Sequence, residues 1–251
     1  MGLKICYAFF NRFLTDEGTN RSKIKRGCTS MGKHVVIDLE MCRVAKEMKR
    51  EYRAKHEIIQ IGAVLLDEDM VVTDRISILV KPEFGWIDPF IERLTGISQS
   101  QVNDAPMLAD AMRRFIEWLP KEELVAVSWS MNDKDQFEKE FKAKDLSFSE
   151  MEQLFDGWID CQETFTKKVH AGRSYSLTDA MIATDIEGEG RAHDGLADAY
   201  NTALLFAKME TEEELVLNPY YAVACREKKE DTLSVSLGEL FKGLDLSFAT
   251  A

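Results

Sequence analysis

The chain has 251 residues, 45% of them hydrophobic, and its 44 acidic and 32 basic residues give a formal net charge of −12. This length allows one large domain with appendages, or at most two small domains, and it suffices for a buried core. The negative charge argues against nonspecific adhesion to DNA or to anionic lipid, because a surface that follows phosphates is normally basic.

The cysteines and the apolar runs bear on the cellular compartment. The five cysteines are scattered and include no Cys-x-x-Cys pair, which predicts a reduced chain without a disulfide framework or structural zinc. The apolar residues 5–10 end at Asn11 and Arg12, before they reach the length of a signal peptide. No run approaches the ~20 residues that a membrane span requires. We therefore expect a soluble, cytoplasmic protein that does not act at a membrane.

The two ends of the chain differ in pattern from its centre. Residues 1–30 show no sustained hydrophobic period, and residues 20–33 are polar and basic, which predicts a flexible N-terminal extension. Residues 31–210 combine strand-like and helix-like patterns and are predicted to form one folded domain. Residues 211–251 open with an acidic run and carry a second charged run at 226–231. We expect them to form a C-terminal appendage packed on that domain.

Three strands are predicted at the start of the domain. Apolar and polar residues alternate over 34–40, and aliphatic residues dominate 58–66 and alternate over 75–80. The acidic residues 67–69, between the second and third strands, are typical of a hairpin turn. Strands joined this closely are expected to pair in an antiparallel manner.

Helices and strands then alternate along the chain. Residues 107–119 carry apolar residues at helical spacing and stop at Pro120, and residues 124–129 form an apolar run typical of a buried strand. The same criteria predict a fifth strand within 157–165 and helices at 132–144, 176–183 and 196–209. Three strands followed by alternating helices and strands predict an α/β fold, with a mixed sheet and helices on both faces.

Two carboxylates lie at the predicted end of the first strand. Asp38 and Glu40 are two residues apart, so both side chains should emerge on the same face of the strand. Such a pair can bind Mg²⁺ or Mn²⁺, which prefer carboxylate oxygens and keep several waters. A strand end exposed to solvent can have the same sequence pattern. This pair alone therefore does not distinguish a metal site from a solvated strand end. An acidic site is also compatible with a nucleic-acid substrate, because bound cations then face the phosphate.

A third acid stands at a strand-to-helix junction, where two aspartates compete. Asp133, Phe137 and Phe141 share one stripe of the predicted helix, whereas Asp135 falls among charged residues on the polar stripe. Asp133 is therefore predicted to face inward. Asp135 is predicted to be a surface residue, favoured by the helix N-terminus.

A histidine and a fourth acid lie near the start of the last predicted helix. If Asp194 caps this helix, His193 lies in the turn before it and Asp198 lies in its first turns. The helix is apolar nearly all round, which predicts burial on more than one face and lets Asp198 point toward the other acids. The remaining histidines, which have polar neighbours and are predicted to be surface or capping residues, are His34, His56 and His170.

Taken in order, the four acids and the histidine resemble the DEDDh group of 3′→5′ exonucleases over roughly residues 34–209. The similarity extends to residues 59–63 in the second strand, to residues 94–97, and to the spacing Trp129-x-x-x-Asp133. These details are most similar to the KapD-like branch, which is related to exonucleases that trim small RNAs and histone messenger RNA ends. The resemblance implies an RNase H-like fold: a five-stranded mixed sheet with the first three strands antiparallel, flanked by helices.

The resemblance also implies a mechanism. Two Mg²⁺ or Mn²⁺ ions would be held by the four acids, with Asp38 bridging them, Glu40 and Asp198 on one ion and Asp133 on the other. His193 would act as general base on the attacking water, releasing a nucleoside 5′-monophosphate. The implied partner is the 3′ end of single-stranded nucleic acid, with RNA favoured over DNA. The residues implied to line the pocket for the last nucleotide are Met41 and Leu94.

The chain departs from many relatives in one respect, and two other functions stay open. Asp194-Gly195-Leu196 stands where a basic residue is common in relatives, which leaves the acids intact but bears on substrate affinity.

One alternative to an exonuclease is a catalytically silent adaptor that docks through residues 211–251, although a pure binder has no need to keep mutually repelling acids together. The other is an RNase H-like endonuclease, which would cut internally instead of shortening ends.

Overall fold

The computed structural model describes residues 32–50, 52 and 54–219. The extension predicted for residues 1–30 and most of the appendage predicted for residues 211–251 lie outside this part of the chain. Within it, no helix combines the length and the apolar character that a membrane crossing requires. The cysteines in this part, Cys42 and Cys161, are both buried free thiols.

One mixed sheet organises the fold. Its strands are β1 (Lys33–Val44), β2 (His56–Leu66), β3 (Val72–Leu79), β4 (Gly85–Trp86), β5 (Leu124–Ser128) and β6 (Ile159–Asp160). Five strands follow the order β3-β2-β1-β5-β6, and the short β4 pairs with the end of β1. The pairs β1–β2 and β2–β3 are antiparallel, whereas β1–β5 and β5–β6 are parallel. The predicted mixed sheet with three antiparallel leading strands is confirmed.

Helices cover both faces of this sheet. In the described residues they are α1 (Pro89–Thr95), α2 (Gln99–Asn103), α3 (Leu108–Trp118), α4 (Asn132–Lys144), α5 (Ser149–Asp156), α6 (Cys161–Lys168), α7 (Leu177–Ala183) and α8 (Gly195–Thr211). The longer helices α3, α4 and α8 lie where hydrophobic spacing predicted them. The seven-residue α7 also lies within a predicted range, whereas the short helices α1, α2, α5 and α6 were not predicted.

Alternation along β1 divides the core into two layers. Val35 and the alternate residues after it pack against α3, α4 and α5. Val36 points to the other face and packs with residues of α6, α7 and α8. Asp38 and Glu40 have the same parity as Val36, so they emerge on the face that α8 covers.

The fifth strand predicted within residues 157–165 is present and is only two residues long. Ile159 and Asp160 pair with β5, and α6 begins at the next residue. The Asp160 side chain accepts a hydrogen bond from the Glu163 amide at 2.7 Å, which caps α6 and ends the strand. The apolar pattern there therefore combines a strand end with the first turns of a buried helix.

The first strand, by contrast, is longer than predicted. β1 continues past Glu40 as far as Val44, and its register with β2 shifts between Glu40 and Met41. Asp38 and Glu40 thus lie inside a strand and not at its end. A register shift of this kind changes the direction in which the following side chains point, and Met41 is the first of these residues.

The prediction of a surface or capping role is wrong for His34. This residue is 6% exposed, and its ring packs edge-on against Phe206 of α8 with ring centroids 5.1 Å apart. Because β1 is central and α8 covers this face, the position is buried whatever its sequence neighbours are. Burial lowers the pKa of the His34 imidazole. His56 and His170 are exposed, in line with the prediction.

Candidate active site

The first pair of acids lies on β1, against the β2 strand. Asp38 is opposite Gly62 in the antiparallel register, and Glu40 is opposite Gln60. Glu40 is 8% exposed, and Asp38 is half-buried. Both carboxylates therefore stand in the interior of the molecule, on the side where α8 begins.

A close crossing of backbones positions α8 above these acids. A Cβ atom on Gly62 would lie 2.1 Å from the carbonyl carbon of Gly195, the first residue of α8. The Gly195 N–H donates to Gln60 Oε1 at 2.9 Å, and Gln60 Nε2 donates to Ser77 Oγ of β3 at 3.0 Å. Two glycines that allow close approach and one glutamine thus dock the helix N-terminus on the sheet.

Replacing Gly62 with alanine is expected to lower the free energy of unfolding by about 3 kcal/mol, because the new methyl group meets backbone that cannot rotate away. Urea denaturation measures this change. Gly157→Ala is the matched control, since no atom lies within 4 Å of the added Cβ at that position. We expect the control to change stability by less than about 1 kcal/mol. Equal unfolding free energies for the two variants would contradict the close crossing.

The turn before α8 positions His193 and Asp198. Asp194 caps the helix as predicted, because its carboxylate accepts the N–H groups of Leu196 at 3.0 Å and Ala197 at 3.2 Å. His193 adopts a φ of 64°, in the left-handed region. Its backbone N–H donates to Asp198 Oδ2 at 2.8 Å. This bond holds the Asp198 carboxylate and the histidine next to each other, with the imidazole exposed.

Asp133 joins the site from the first turn of α4. It is 6% exposed, and its Oδ1 accepts the Leu39 N–H at 3.0 Å. The β1–β5 ladder ends at Val36, so the Leu39 amide lies beyond it and takes this carboxylate as its partner. Asp135 is exposed and forms an ion pair with Lys139 at 2.9 Å. The structure thus has the inward and outward orientations that were predicted for the two aspartates.

The structure brings the four predicted acids and the histidine to one place. Glu40, His193 and Asp198 each offer a potential ligand atom within 4.8 Å of the other two. Asp38 and Asp133 lie outside this tightest group, but the charges of Asp133, Asp198 and Glu40 all act on Asp38. Residues from β1, α4 and the start of α8 therefore form a single acidic site.

These carboxyl groups are poorly suited to being charged together. Burial, the largest cause, and the charges of Asp198 and Asp133 together raise the pKa of Glu40 to about 8. Burial also raises the pKa of Asp133 to about 7, against the effect of hydrogen bonds from the Leu39 and Asp133 amides. The pKa values of Asp38 and Asp198 are raised as well, with burial again the largest cause. A fully ionised site of this kind calls for neutralising cations.

The donor set fits hard divalent cations. Mg²⁺ and Mn²⁺ prefer carboxylate oxygens, and Asp38, Glu40, Asp133 and Asp198 supply carboxylates only. Cations bound here would offset both the cost of burying these carboxylates in charged form and the repulsion between them. The exposed imidazole of His193 suits a proton acceptor at the edge of the site better than a ligand, since imidazole favours softer metals.

A cavity of about 1060 Å³ opens beside Glu40. Met41 and Leu94, the two residues predicted for the last nucleotide, both line it and are both half-buried. Met41 follows the register shift in β1, and Leu94 comes from α1. The two residues thus share one cavity next to the acids, and their contact with a nucleotide stays a prediction.

Gln60 is a site-forming residue whose part the sequence reasoning missed. It belongs to residues 59–63, which resemble the DEDDh exonucleases, but the resemblance gave this glutamine no role. A polar side chain inside the apolar strand β2 could have indicated this role, because a buried polar group needs hydrogen-bond partners. Its partners are on α8 and β3, which only the folded chain brings together.

A family model named RNase_T and described as an exonuclease matches residues 35–206. The chain belongs to this exonuclease family. The matched range begins in β1 and ends in α8, so it contains the four acids and His193. Membership confirms the resemblance to DEDDh exonucleases of a branch that includes exoribonucleases.

Similar members of the exonuclease family include exoribonucleases. The chain is 34% identical over 201 residues to ERI1 exoribonuclease 2 of Danio rerio, a match that covers 71% of this chain and 35% of that relative. It is 30% identical over 184 residues to ERI1 exoribonuclease 2 of Homo sapiens, with 63% of this chain and 26% of that relative covered. The match therefore spans only about a third or a quarter of the length of these curated relatives.

Solved structures of nucleases have the same architecture. The nuclease domain of 3′hExo, a DEDDh family member bound to rAMP, is similar with a TM-score of 0.61 and 25% identity, over 74% of this chain and 96% of that one. Cell-death related nuclease 4 is similar with a TM-score of 0.61 over 75% of this chain and 67% of that one. Its 19% identity supports the fold alone. The predicted RNase H-like α/β fold is confirmed.

Proposed function

We propose that this chain is a metal-dependent 3′→5′ exonuclease that shortens single-stranded nucleic acid, and that residues 31–210 are its nuclease domain. The observation that carries the proposal is the convergence of four carboxylates and one histidine within the range of the exonuclease family model. RNA is favoured over DNA as the substrate, since similar family members are named exoribonucleases.

Two Mg²⁺ or Mn²⁺ ions are the proposed cofactors. Asp38, Glu40, Asp133 and Asp198 would hold them, in agreement with the preference of these cations for carboxylate oxygens. When bound, such cations supply Lewis-acid stabilisation of the charge that develops at the scissile phosphate, which is worth several kcal/mol. The raised pKa values of the metal-free carboxyls support this assignment, because burial, together with repulsion between neighbouring acids, makes the charged forms unfavourable without cations.

His193 is the proposed general base. Its imidazole takes a proton from the attacking water, whose oxygen forms a bond to phosphorus while the bond from phosphorus to the 3′ oxygen of the preceding nucleotide breaks. The products are a nucleoside 5′-monophosphate and a strand shortened by one residue with a free 3′ hydroxyl. Asp198 positions the base through its hydrogen bond with the His193 amide. Met41 and Leu94 would hold the departing nucleotide.

Replacing His193 with asparagine is expected to lower kcat by about 10²- to 10⁴-fold, the usual contribution of general-base catalysis, with little change in metal affinity. Asparagine tolerates the positive φ of this position and keeps the amide that bonds Asp198, so the local backbone should persist. Single-turnover rates at saturating Mg²⁺ test the role, because the variant should still bind metal but should hydrolyse the bound strand more slowly.

His170→Asn is the matched control for this variant. His170 is also exposed and has a φ of 52°, but it lies at the end of α6, away from the acids. We expect wild-type rates from this control. A similar loss in both variants, or an unchanged single-turnover rate in the His193 variant, would contradict the assignment of His193.

Digestion of 5′-labelled RNA and DNA of identical sequence tests the proposed function as a whole. A ladder of products shortened from the 3′ end should appear with Mg²⁺ or Mn²⁺, form faster on RNA, and be absent with EDTA. Circular RNA should resist cleavage. Cuts in the circle would instead favour the endonuclease, and binding of every substrate without turnover would favour the adaptor.

A further inference from the structure

The histidine proposed as the general base lies in an exposed segment between α7 and α8. Residues 187–193 are all exposed, and His193 is the last of them. We call residues 187–193 the base loop. Asn201 of α8 accepts the Glu189 N–H at 2.9 Å and donates to the Glu189 carbonyl at 3.1 Å. Asp198 of α8 accepts the His193 N–H at 2.8 Å. The base loop is therefore fastened to α8 at two points.

Arg191, between these two points, reaches from the base loop to α1. Its Nη2 donates a hydrogen bond to the Arg93 carbonyl in the last turn of α1. Its Nη1 lies over Gly96, where an added Cβ atom would be only 3.0 Å from this nitrogen. The guanidinium thus contacts the C-terminal end of α1 with both of its terminal nitrogens. This end of a helix carries partial negative charge and favours cations.

The end of α1 presents this carbonyl to Arg191. In a continuing helix the Ile97 N–H would donate to the Arg93 carbonyl. Here the Ile97 N–H donates to Thr95 Oγ1 at 3.1 Å, and Gly96 ends the helix with a φ of 78°. A helix-terminal carbonyl that lacks its helical partner needs another donor. Arg191 supplies this donor through a hydrogen bond that its charge strengthens.

Arg191 joins two sides of the site. α8 carries the base loop, whereas α1 contributes Leu94 to the cavity beside Glu40. Arg191 precedes His193 by only two positions, and the His193 side chain is exposed, so core packing does not fix the direction of its ring. The path of the preceding backbone therefore matters for where the ring lies. The Arg191 contact sets this path relative to α1.

We infer that Arg191 is a positioning residue, which holds the base loop against α1 and thereby places the His193 imidazole for proton transfer. This inference rests on the proposed function, because it assigns Arg191 to the same reaction. The guanidinium is engaged by the backbone of α1 and not by the strand. Its removal should therefore slow cleavage of the terminal phosphodiester and leave the affinity for the strand unchanged.

Arg191→Ala is expected to lower the single-turnover rate constant for release of the first nucleotide by about tenfold, because a small displacement of a catalytic group slows a reaction strongly. The enzyme concentration that gives the half-maximal rate at saturating Mg²⁺ should keep its wild-type value. Arg191→Lys keeps one charged donor but loses the fork, so its rate constant should be intermediate. An unchanged rate constant in Arg191→Ala would overturn the inference. A loss of affinity alone would also overturn it, since Arg191 would then contact the strand.

Gly96→Ala tests the contact from the side of α1. Its methyl group would lie 3.0 Å from Arg191 Nη1 and should displace the guanidinium, so this variant should also lower the rate constant. Two changes that break the same contact are not additive. The Arg191→Ala/Gly96→Ala double variant should therefore be no slower than the slower single variant. Losses that multiply in full would overturn the inference.

Arg113→Ala is the matched control for the loss of an exposed arginine. Arg113 lies on α3 and forms an ion pair with Asp110 of the same helix. We expect the wild-type rate constant from this control. A fall as large as that in Arg191→Ala would overturn the inference, because the contact with α1 would then have no special part.

Amide hydrogen exchange separates failure of the inference from failure of the proposed function. If the wild-type chain hydrolyses no RNA, the proposed function fails, and exchange in residues 187–193 and 93–97 then tests the contact directly. Faster exchange of both segments in Arg191→Ala than in Arg113→Ala supports the positioning contact. Equal exchange in the two variants overturns it.

Discussion

Replacing Asp38 with asparagine is expected to abolish most of the 3′-end shortening while making the metal-free protein more stable. Loss of a metal ligand removes several kcal/mol of charge stabilisation at the phosphate, which corresponds to a rate decrease of roughly 10³-fold or more. Asp38 is also the acid on which burial and the charges of Asp133, Asp198 and Glu40 act together. A neutral amide of the same shape escapes that repulsion.

The gain in stability is measurable in the absence of metal. We expect an increase of about 1 kcal/mol at pH 7.5, which raises Tm by about 2–4 °C for a domain of this size. Differential scanning calorimetry in EDTA measures it, and single-turnover assays with Mg²⁺ measure the rate. Asp135→Asn is the control, since this aspartate is exposed and paired with Lys139. Full activity in Asp38→Asn would refute the site assignment, whatever its Tm.

The stability of the metal-free protein is expected to fall as the pH rises from about 5 to about 8.5. Unfolded carboxyl groups titrate near pH 4. The folded chain holds the pKa of Glu40 at about 8 and that of Asp133 at about 7. Between these limits the native state binds more protons than the unfolded state, so the free energy of unfolding decreases with pH. The stabilising contribution is complete below pH 4 and is lost as the pH passes about 7 and 8.

Thermal unfolding at several pH values, with EDTA or with Mg²⁺, measures this linkage. Each proton bound only by the native state contributes a slope of about −1.4 kcal/mol per pH unit. Bound cations should flatten the slope, because they stabilise the ionised carboxylates and bind only the native state. The Glu40→Gln/Asp133→Asn double variant should flatten it without metal. Identical slopes for this variant and the wild type in EDTA would contradict the raised pKa values.

The prediction of elements from sequence succeeded where the pattern was long and missed several of the short elements. The strands β1 and β2 and the helices α4 and α8 each hold enough alternation or helical spacing to be recognised. The strand predicted within residues 157–165 is present but only two residues long, because Asp160 caps a helix there. A capping aspartate and a strand-terminal aspartate look the same in one dimension.

The acids of the site were predictable because local geometry orients each of them. Side-chain alternation in β1 puts Asp38 and Glu40 on one face, and the apolar stripe of α4 distinguishes Asp133 from Asp135. The reading of His34 as a surface residue failed because burial depends on what packs above a strand, and α8 comes from the other end of the domain.

The sequence by itself determined the α/β class, the order of the leading strands, the identity of the acids and their resemblance to an exonuclease family. Those properties follow from periodicities and spacings that a single chain carries. Only the tertiary structure decided how the acids meet, because the Gly62–Gly195 crossing and the hydrogen bond between Gly195 and Gln60 join residues more than 130 positions apart. It also decided the cavity beside Glu40, since residues of α1, of α4 and of the β1–β2 connection become neighbours only when the sheet and its helices pack together.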